Sequence, residues 1–178
     1  MREIITEAIV LGTRPYKEND RIVDFLTKNS GRVEAVAVSG RKMTSKLAPH
    51  CVLGGIVLAR LVFKNRITIA DSLTISRLPP DPGFRARALL TLKTIRGLVP
   101  LGEGDSRVWI EAARIFKGKE PDLNSLLRVF GYDPLLSSCG VCNSRAVEFF
   151  TFDDYEFLCE SHGRRAPGRE IVKIGCRL

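Results

Sequence analysis

The sequence predicts an α+β protein in which a strand-rich N-terminal part is followed by a small helical region that contains a zinc-binding β-hairpin. Three observations support this prediction. Short segments rich in Ile and Val fill residues 1–78, a proline cluster follows them, and helical apolar spacing and paired Cys and His residues come last. We therefore expect two domains, residues 1–78 and residues 79–178, with the metal-binding element at about residues 139–162.

Five strand-like segments separated by turn residues make up the N-terminal part. They are residues 3–11, 20–27, 32–38, 52–63 and 67–76. Residues 12–18 are expected to form a loop, and Lys28-Asn29-Ser30-Gly31 is typical of a hairpin turn. Five strands without a convincing long helix favour a small closed barrel, because closure removes the unpaired edges of an open sheet. The expected architecture is a five-stranded OB-fold β-barrel.

Helices are expected after the boundary at residues 78–83, where three prolines cannot continue a strand ladder or a helix. Over residues 84–99 the apolar residues recur at steps of three and four, which predicts an amphipathic helix. Two shorter helices are expected at residues 105–116 and 123–130, the second of them capped by Asp122. The helices contain few candidate catalytic groups and predict a small packed bundle or a docking surface.

The most specific chemical signal is a pair of ligand motifs near the C-terminal end. Cys139 and Cys142 form a Cys-x-x-Cys motif, and after 16 intervening residues Cys159 and His162 form a Cys-x-x-His motif. A hairpin that turns at Asp153-Asp154 is expected to bring the two motifs together. Three thiolates and one imidazole fill a tetrahedral Zn²⁺ site, which makes the predicted zinc structural and not catalytic.

Other catalytic signatures are missing from the sequence. A zinc deaminase needs a His-x-Glu motif, but the second residue after His50 is Val52 and the second residue after His162 is Arg164. The sequence has neither a P-loop glycine motif nor a Gly-x-Ser-x-Gly nucleophile elbow. The chain has two histidines, one of them assigned to the metal, so acid–base catalysis has little support. We expect a protein that is not an enzyme.

The apolar segments and the cysteines indicate the cellular compartment. The most apolar run, residues 56–63, is too short to span a bilayer and contains Arg60. The first residues include two glutamates within their apolar stretch, unlike a secretion signal, so we expect a cytoplasmic protein without disulfides. Cys51 and Cys176 remain outside the metal motifs, and a lone cysteine is usually a small buried apolar residue.

The positive charge is concentrated in the N-terminal part. The formal net charge is +8 and the pI is about 9.5, and residues 1–78 alone have a net charge of +6. A basic surface on a cytoplasmic protein favours a polyanionic partner, of which nucleic acid is the commonest. The other interpretation of the charge is a basic surface that maintains solubility.

The sequence resembles the bacterial RecO family of recombination mediators. The resemblance begins at Arg14-Pro15-Tyr16-Lys17-Glu18-Asn19-Asp20-Arg21-Ile22-Val23 and continues through the basic stretch Gly40-Arg41-Lys42. It resumes at Phe130-Gly131-Tyr132-Asp133-Pro134, which leads into Cys139-Gly140-Val141-Cys142. The chain departs from the family in a short helical middle and in His162, where many relatives have Cys.

The resemblance implies an N-terminal OB-fold, a helical middle and a structural zinc element. It also implies binding to single- and double-stranded DNA, annealing of complementary strands, and cooperation with RecR and single-strand-binding protein (SSB) in loading RecA. A nucleoid-associated location in the cytoplasm follows from such a role.

An OB-fold binds its ligand across strands 2 and 3, between the first hairpin loop and the loop that joins strands 4 and 5. On this basis Tyr16 is the best candidate for base stacking, and the basic residues nearby are candidates for phosphate contacts. The full candidate set is Arg14, Tyr16, Lys17, Arg21, Arg32, Arg41, Lys42, Lys46, Lys64 and Arg66.

Two other functions agree with the same composition. The first is an RNA-binding protein with an OB-fold and a zinc element that acts in translation or transcription. The second is an interaction scaffold whose basic face binds an acidic protein tail. A preference for RNA over DNA, or for an acidic peptide over any nucleic acid, would distinguish them.

Overall fold

The computed structural model describes residues 2–166, 168 and 170–174, which fall into two compact units, Met1–Pro121 and Asp122–Leu178. The first unit contains five strands and two helices. These are β1 (Arg2–Tyr16), β2 (Asp20–Thr27), β3 (Gly31–Ala37), β4 (Gly55–Phe63), β5 (Ile67–Arg77), α1 (Pro82–Leu98) and α2 (Ser106–Ile115). The second unit contains α3 (Leu123–Val129), β6 (Val147–Thr151), β7 (Phe157–Cys159), α4 (Glu160–Gly163) and β8 (Ile171–Lys173).

The five strands of the first unit close into a barrel in the order β1-β2-β3-β5-β4. All neighbouring strands are antiparallel except β3 and β5, which run parallel where Val36 lies opposite Thr68. This arrangement confirms the expected OB-fold barrel. Apolar residues at every second position of the strands fill the interior of the barrel, among them Phe25 and Leu61.

The first strand closes the barrel because it pairs with two partners. Residues 2–9 of β1 pair with β4, and residues 8–16 pair with β2. The register shifts between Val10 and Gly12, and this bulge lets the strand bend from one partner to the other. The predicted loop at residues 12–18 is therefore wrong, since β1 continues to Tyr16. Pro15 is tolerated because this half of β1 has a single neighbour, β2.

The segment of residues 38–54, called here the basic loop, covers the barrel interior between β3 and β4. Leu47 packs against the core from this loop, and Cys51 is 1% exposed among the core residues. His50 Nδ1 accepts a hydrogen bond from the backbone N–H of Thr74 on β5 at 3.1 Å. Cys51 is thus the small buried residue that was expected, whereas Cys176 lies outside the described residues.

Aspartate caps begin both helices of the first unit: α2 begins as the sequence predicts, whereas α1 begins at Pro82, two residues before the predicted start. The carboxylate of Asp81 accepts the backbone N–H of Phe84 at 2.6 Å, and that of Asp105 accepts the N–H of Arg107 at 2.7 Å. The first compact unit extends to Pro121, beyond residue 78, because α1 and α2 group with the barrel and not with the second unit. Among the described residues, none of the helices is long and apolar enough to cross a membrane.

The second unit is built on a three-stranded sheet in the order β7-β6-β8. The hairpin of β6 and β7 is the one predicted from the sequence, and α3 has the expected Asp122 cap, which accepts the N–H of Ser125 at 3.1 Å. Phe150 on β6 is fully buried, with its ring centroid 5.0 Å from that of Tyr132 and 5.2 Å from that of Phe157. This aromatic cluster forms a small core close to the metal motifs in sequence.

Candidate metal centre and nucleic-acid interface

The four predicted metal ligands lie together in the second unit. The donor atoms of Cys139, Cys142, Cys159 and His162 are all within 4.8 Å of one another. Cys142 Sγ is 3.8 Å from Cys159 Sγ, and Cys139 Sγ is 3.6 Å from His162 Nδ1. A tetrahedral ion with Zn–S of about 2.3 Å and Zn–N of about 2.0 Å would separate two sulfurs by about 3.8 Å and sulfur from nitrogen by about 3.6 Å. These two separations match a tetrahedral metal site, whereas Cys159 Sγ lies closer to His162 Nδ1, at 3.2 Å. At 3.8 Å the sulfurs of Cys142 and Cys159 are too far apart for a disulfide.

Local backbone contacts place the two ligand motifs side by side. The first motif is a tight turn in which Cys139 N–H donates to the Ser144 carbonyl at 2.8 Å, and Asn143, with φ of 57°, donates back to the Cys139 carbonyl. Gly140 N–H donates to the Phe157 carbonyl at 3.0 Å and ties this turn to β7. Cys159 ends β7, and the single turn of α4 brings His162 back toward it.

The electrostatics favour the thiolate form that a metal ion needs at Cys159 and Cys139, but not at Cys142. The backbone N–H of Ser144 lowers the pKa of Cys142, but burial and the hydrogen bonds with Cys139 and Cys159 outweigh it and the net direction is up. The hydroxyl of Ser161, and then the backbone N–H of His162, lower the pKa of Cys159 to about 6. Burial raises the pKa of Cys139, but backbone N–H groups, first that of Cys159 and then that of Cys142, outweigh it and the net direction is down. The pKa of His162 is raised by its hydrogen bonds with the sulfurs of Cys159 and Cys139. A metal cation would replace the proton in this network.

Part of the predicted DNA-binding set meets at the end of β1 in the first unit. Arg41 of the basic loop donates its backbone N–H to the Asn19 carbonyl at 2.9 Å and its Nη1 to the Glu18 carbonyl at 3.2 Å. These bonds hold Arg41 against the turn that contains Lys17, whose Nζ lies 5.6 Å from the ring centroid of Tyr16. Lys42 and Lys46 are exposed on the same loop. Tyr16, Lys17, Arg41, Lys42 and Lys46 are named here the loop group.

Lys64 and Arg66 lie on the turn between β4 and β5. Their turn connects Phe63 to Ile67, and both of these residues line a groove of about 510 Å³ together with Asn29 at the start of β3. Because Thr68 of β5 lies opposite Val36 of β3, this turn lies alongside β3 and forms a second basic segment apart from the loop group in sequence. Arg14 lies on β1, where its Nη2 donates to Glu34 Oε2 at 2.9 Å.

Of the predicted DNA-binding residues, Arg32 is bonded inside the protein and Arg21 is half-buried. Arg32 donates from Nε and Nη2 to the two carboxylate oxygens of Asp24 at 3.0 and 2.8 Å, and from Nη1 to the Val99 carbonyl at 2.8 Å. Its side chain is 15% exposed, and the hydrogen bond to Asp24 raises its pKa in spite of burial. Arg21 is half-buried, and its charge partly offsets the burial that raises the pKa of Cys51 to about 11. Both guanidinium groups are less exposed to solvent than the basic side chains of the loop group.

Sequence reasoning missed two contributors to this surface. Arg2 lines the groove, with its Cζ 5.9 Å from the ring centroid of Phe63, because the first residues of β1 pair with the end of β4. Asp24 is the buried acceptor that fixes Arg32. A signal for Asp24 was available in the sequence, since it stands between the apolar residues Val23 and Phe25 of a strand.

Comparison with known proteins connects this geometry to one family. A family model described as "Recombination protein O N terminal" matches residues 1–74. The chain is 28% identical over 158 residues to a DNA repair protein RecO of Syntrophobacter fumaroxidans, covering 80% of this chain and 62% of that protein. It is 28% identical over 172 residues to a DNA repair protein RecO of Thermodesulfovibrio yellowstonii, covering 87% of this chain and 68% of that protein. The chain thus spans less than two thirds of the length of the first of these relatives.

Proposed function

Because this chain belongs to the RecO family, we propose that it is a DNA-binding mediator of recombination and repair and not an enzyme. It binds single- and double-stranded DNA, anneals complementary strands, and with RecR helps to load RecA on DNA coated by SSB. The observation that supports this proposal most directly is the OB-fold barrel with exposed basic residues on the basic loop and on the turn between β4 and β5.

The interface binds the DNA backbone. The loop group, and the turn with Lys64 and Arg66, offer exposed charges for separate phosphates of the DNA. Tyr16 is the single aromatic residue in the candidate set, so stacking contributes little and sequence preference is weak. Annealing follows if two phosphate backbones are neutralised on one surface, since complementary strands then meet without mutual repulsion.

The metal in the second unit is Zn²⁺ in this proposal. Cys139, Cys142, Cys159 and His162 would hold it, since their donor atoms all lie within 4.8 Å of one another and three thiolates with one imidazole are a tetrahedral zinc donor set. Four protein ligands leave no open position for substrate. The ion would therefore cross-link the turn before β6 to α4 and stabilise this unit.

Fluorescence anisotropy with four labelled probes tests the proposed DNA binding. The probes are a single-stranded DNA, its duplex, an RNA of the same sequence and an acidic peptide. We expect both DNAs to bind, with log affinity falling against log salt at a slope near −4 if about five phosphates are neutralised. Tighter binding of RNA would favour the RNA-binding alternative, and binding of the peptide alone would favour a scaffold.

A further inference from the structure

We propose that Arg96, near the end of α1, is a further phosphate-binding residue of the DNA interface, held ready by Asp24 and Gly12. This inference rests on the proposed DNA binding. It assigns a helical residue to a surface that was otherwise assembled from the barrel strands and their loops.

Asp24 anchors Arg96 through one nitrogen. The Asp24 side chain is 3% exposed, and its Oδ2 accepts the Nε–H of Arg96 at 2.9 Å. Arg32 donates to both oxygens of the same carboxylate. Two guanidinium groups thus share one carboxylate, so the group of three side chains has a net charge of +1.

The two terminal nitrogens of the Arg96 guanidinium are available to a ligand. The side chain is 44% exposed, and among the described residues its hydrogen bonding is limited to Nε, which leaves Nη1 and Nη2 to donate elsewhere. A guanidinium is a planar donor that matches two oxygens of a phosphate. An arginine whose Nε is already fixed loses less side-chain freedom when it binds.

Gly12 makes room for the guanidinium against β1. A β-carbon at position 12 would lie 3.3 Å from both Cζ and Nη1 of Arg96, which is closer than ordinary van der Waals contact allows. Glycine therefore lets the charged group lie flat on the strand beside the bulge that follows Val10. A side chain at this position would require the guanidinium to shift by a few tenths of an ångström.

This placement extends the basic surface along β1. Residues 12, 14 and 16 alternate onto one face of the strand at intervals of about 7 Å. Arg96 over Gly12, then Arg14, then Tyr16 with the loop group form a row along this face. Glu34 partly neutralises Arg14, whereas Arg96 shares the carboxylate of Asp24 with Arg32, so the Asp24 group keeps a net positive charge in this row.

The test measures single-stranded DNA affinity across a salt series for three variants of the full chain. Arg96→Ala removes the charge. Arg96→Lys retains a cation for Asp24 but lacks the planar guanidinium. Gly12→Ala shifts the guanidinium while retaining arginine. Arg60→Ala is the matched control, because Arg60 is an exposed arginine that pairs with a carboxylate, Glu3, elsewhere on the barrel.

We expect all three variants to bind several-fold more weakly than the wild type at fixed salt, with the slope for Arg96→Ala smaller by about 0.7. Arg60→Ala should retain the wild-type slope. Thermal denaturation of each variant identifies any that fails to fold, and Arg96→Lys serves as the folded variant because it preserves the charge pair. If folded Arg96→Lys and Gly12→Ala both had the DNA affinity and salt slope of the wild type, this inference would be overturned, while the proposed function would stand. A wild-type protein that does not bind DNA would overturn the proposed function and this inference with it.

Discussion

The Nε–H of Arg96 in α1 donates to the carboxylate of Asp24 in β2 at 2.9 Å, across 72 positions of sequence. The same carboxylate accepts a hydrogen bond from Nη2 of Arg32. Nη1 of Arg32 donates to the carbonyl of Val99, which follows α1 directly. The backbone of Arg32 continues this connection, since it accepts the N–H of Gly102 at 2.7 Å and donates to the carbonyl of Glu103 at 2.8 Å. These bonds explain why α1 and α2 belong to one compact unit with the barrel.

Replacing Asp24 by Asn should destabilise the first unit by about 3 kcal/mol, because it leaves the largely buried Arg32 guanidinium without its charge partner. Urea unfolding would measure the loss. Asp71→Asn, an exposed carboxylate on β5, is the control and should change stability by less than about 0.5 kcal/mol. Equal stability of the two variants would show that the bonds from Asp24 to Arg32 and Arg96 contribute little to stability.

Removing a metal ligand should release the ion and lower the stability of the second unit. Cys139→Ser, Cys159→Ser and His162→Ala should each reduce bound zinc from about one ion per chain to near zero, as measured by mass spectrometry of metal content. His162→Cys should retain zinc, because four thiolates also complete a tetrahedral site. Cys51→Ala should retain it as well. Normal zinc content and thermal stability in Cys159→Ser would contradict the assignment.

The pKa of Cys51 predicts how stability depends on pH. Burial raises this pKa from 9.0 to about 11, so the folded state holds the thiol proton more tightly than the unfolded state does. The resulting stabilisation is complete below pH 9 and is lost as the pH rises through 11, by at most about 3 kcal/mol. The unfolding free energy of the wild type should therefore approach that of Cys51→Ala between pH 9 and pH 11. A gap between the two proteins that stays constant would refute this.

The basic loop should account for a definite part of the salt dependence. Replacing Arg41, Lys42 and Lys46 together by Ala should lower the magnitude of the salt slope for single-stranded DNA by about 2, since three phosphate contacts are removed. A triple variant of Arg114, Lys117 and Lys119, which are exposed at and after the end of α2, removes the same charge elsewhere. Equal losses in the two variants would mean that net charge, and not this loop, determines binding.

The local patterns of the sequence predicted much of the fold. A short run rich in Ile, Val, Phe and Leu marked β2 over Asp20–Thr27, and the two ligand motifs marked the metal cluster, because both signals lie in short segments. The extension of β1 to Tyr16 could not be predicted, since the Arg14-Pro15 pair has the composition of a loop and the bulge depends on strand pairing. The short elements α4 and β8 were also missed, because a single turn and three residues leave too little periodicity.

The candidate interface shows the same limit. Residue type and loop position assigned Lys17 to the expected groove and Arg41 to the loop after β3, and the backbone bond from Arg41 to Asn19 brings the two segments together. Charge alone could not separate Arg32 from these residues, because its partner Asp24 becomes buried when α1 packs on the barrel. The position of Arg96 likewise depends on tertiary structure.

The most direct test of the proposed function is the rate at which two complementary labelled oligonucleotides anneal, with and without the zinc-loaded protein, across a series of salt concentrations. The proposal predicts an acceleration that is largest at low salt and that decreases in parallel with DNA affinity, because both depend on phosphate neutralisation. A folded, zinc-loaded protein that leaves the annealing rate unchanged at every salt concentration would contradict it.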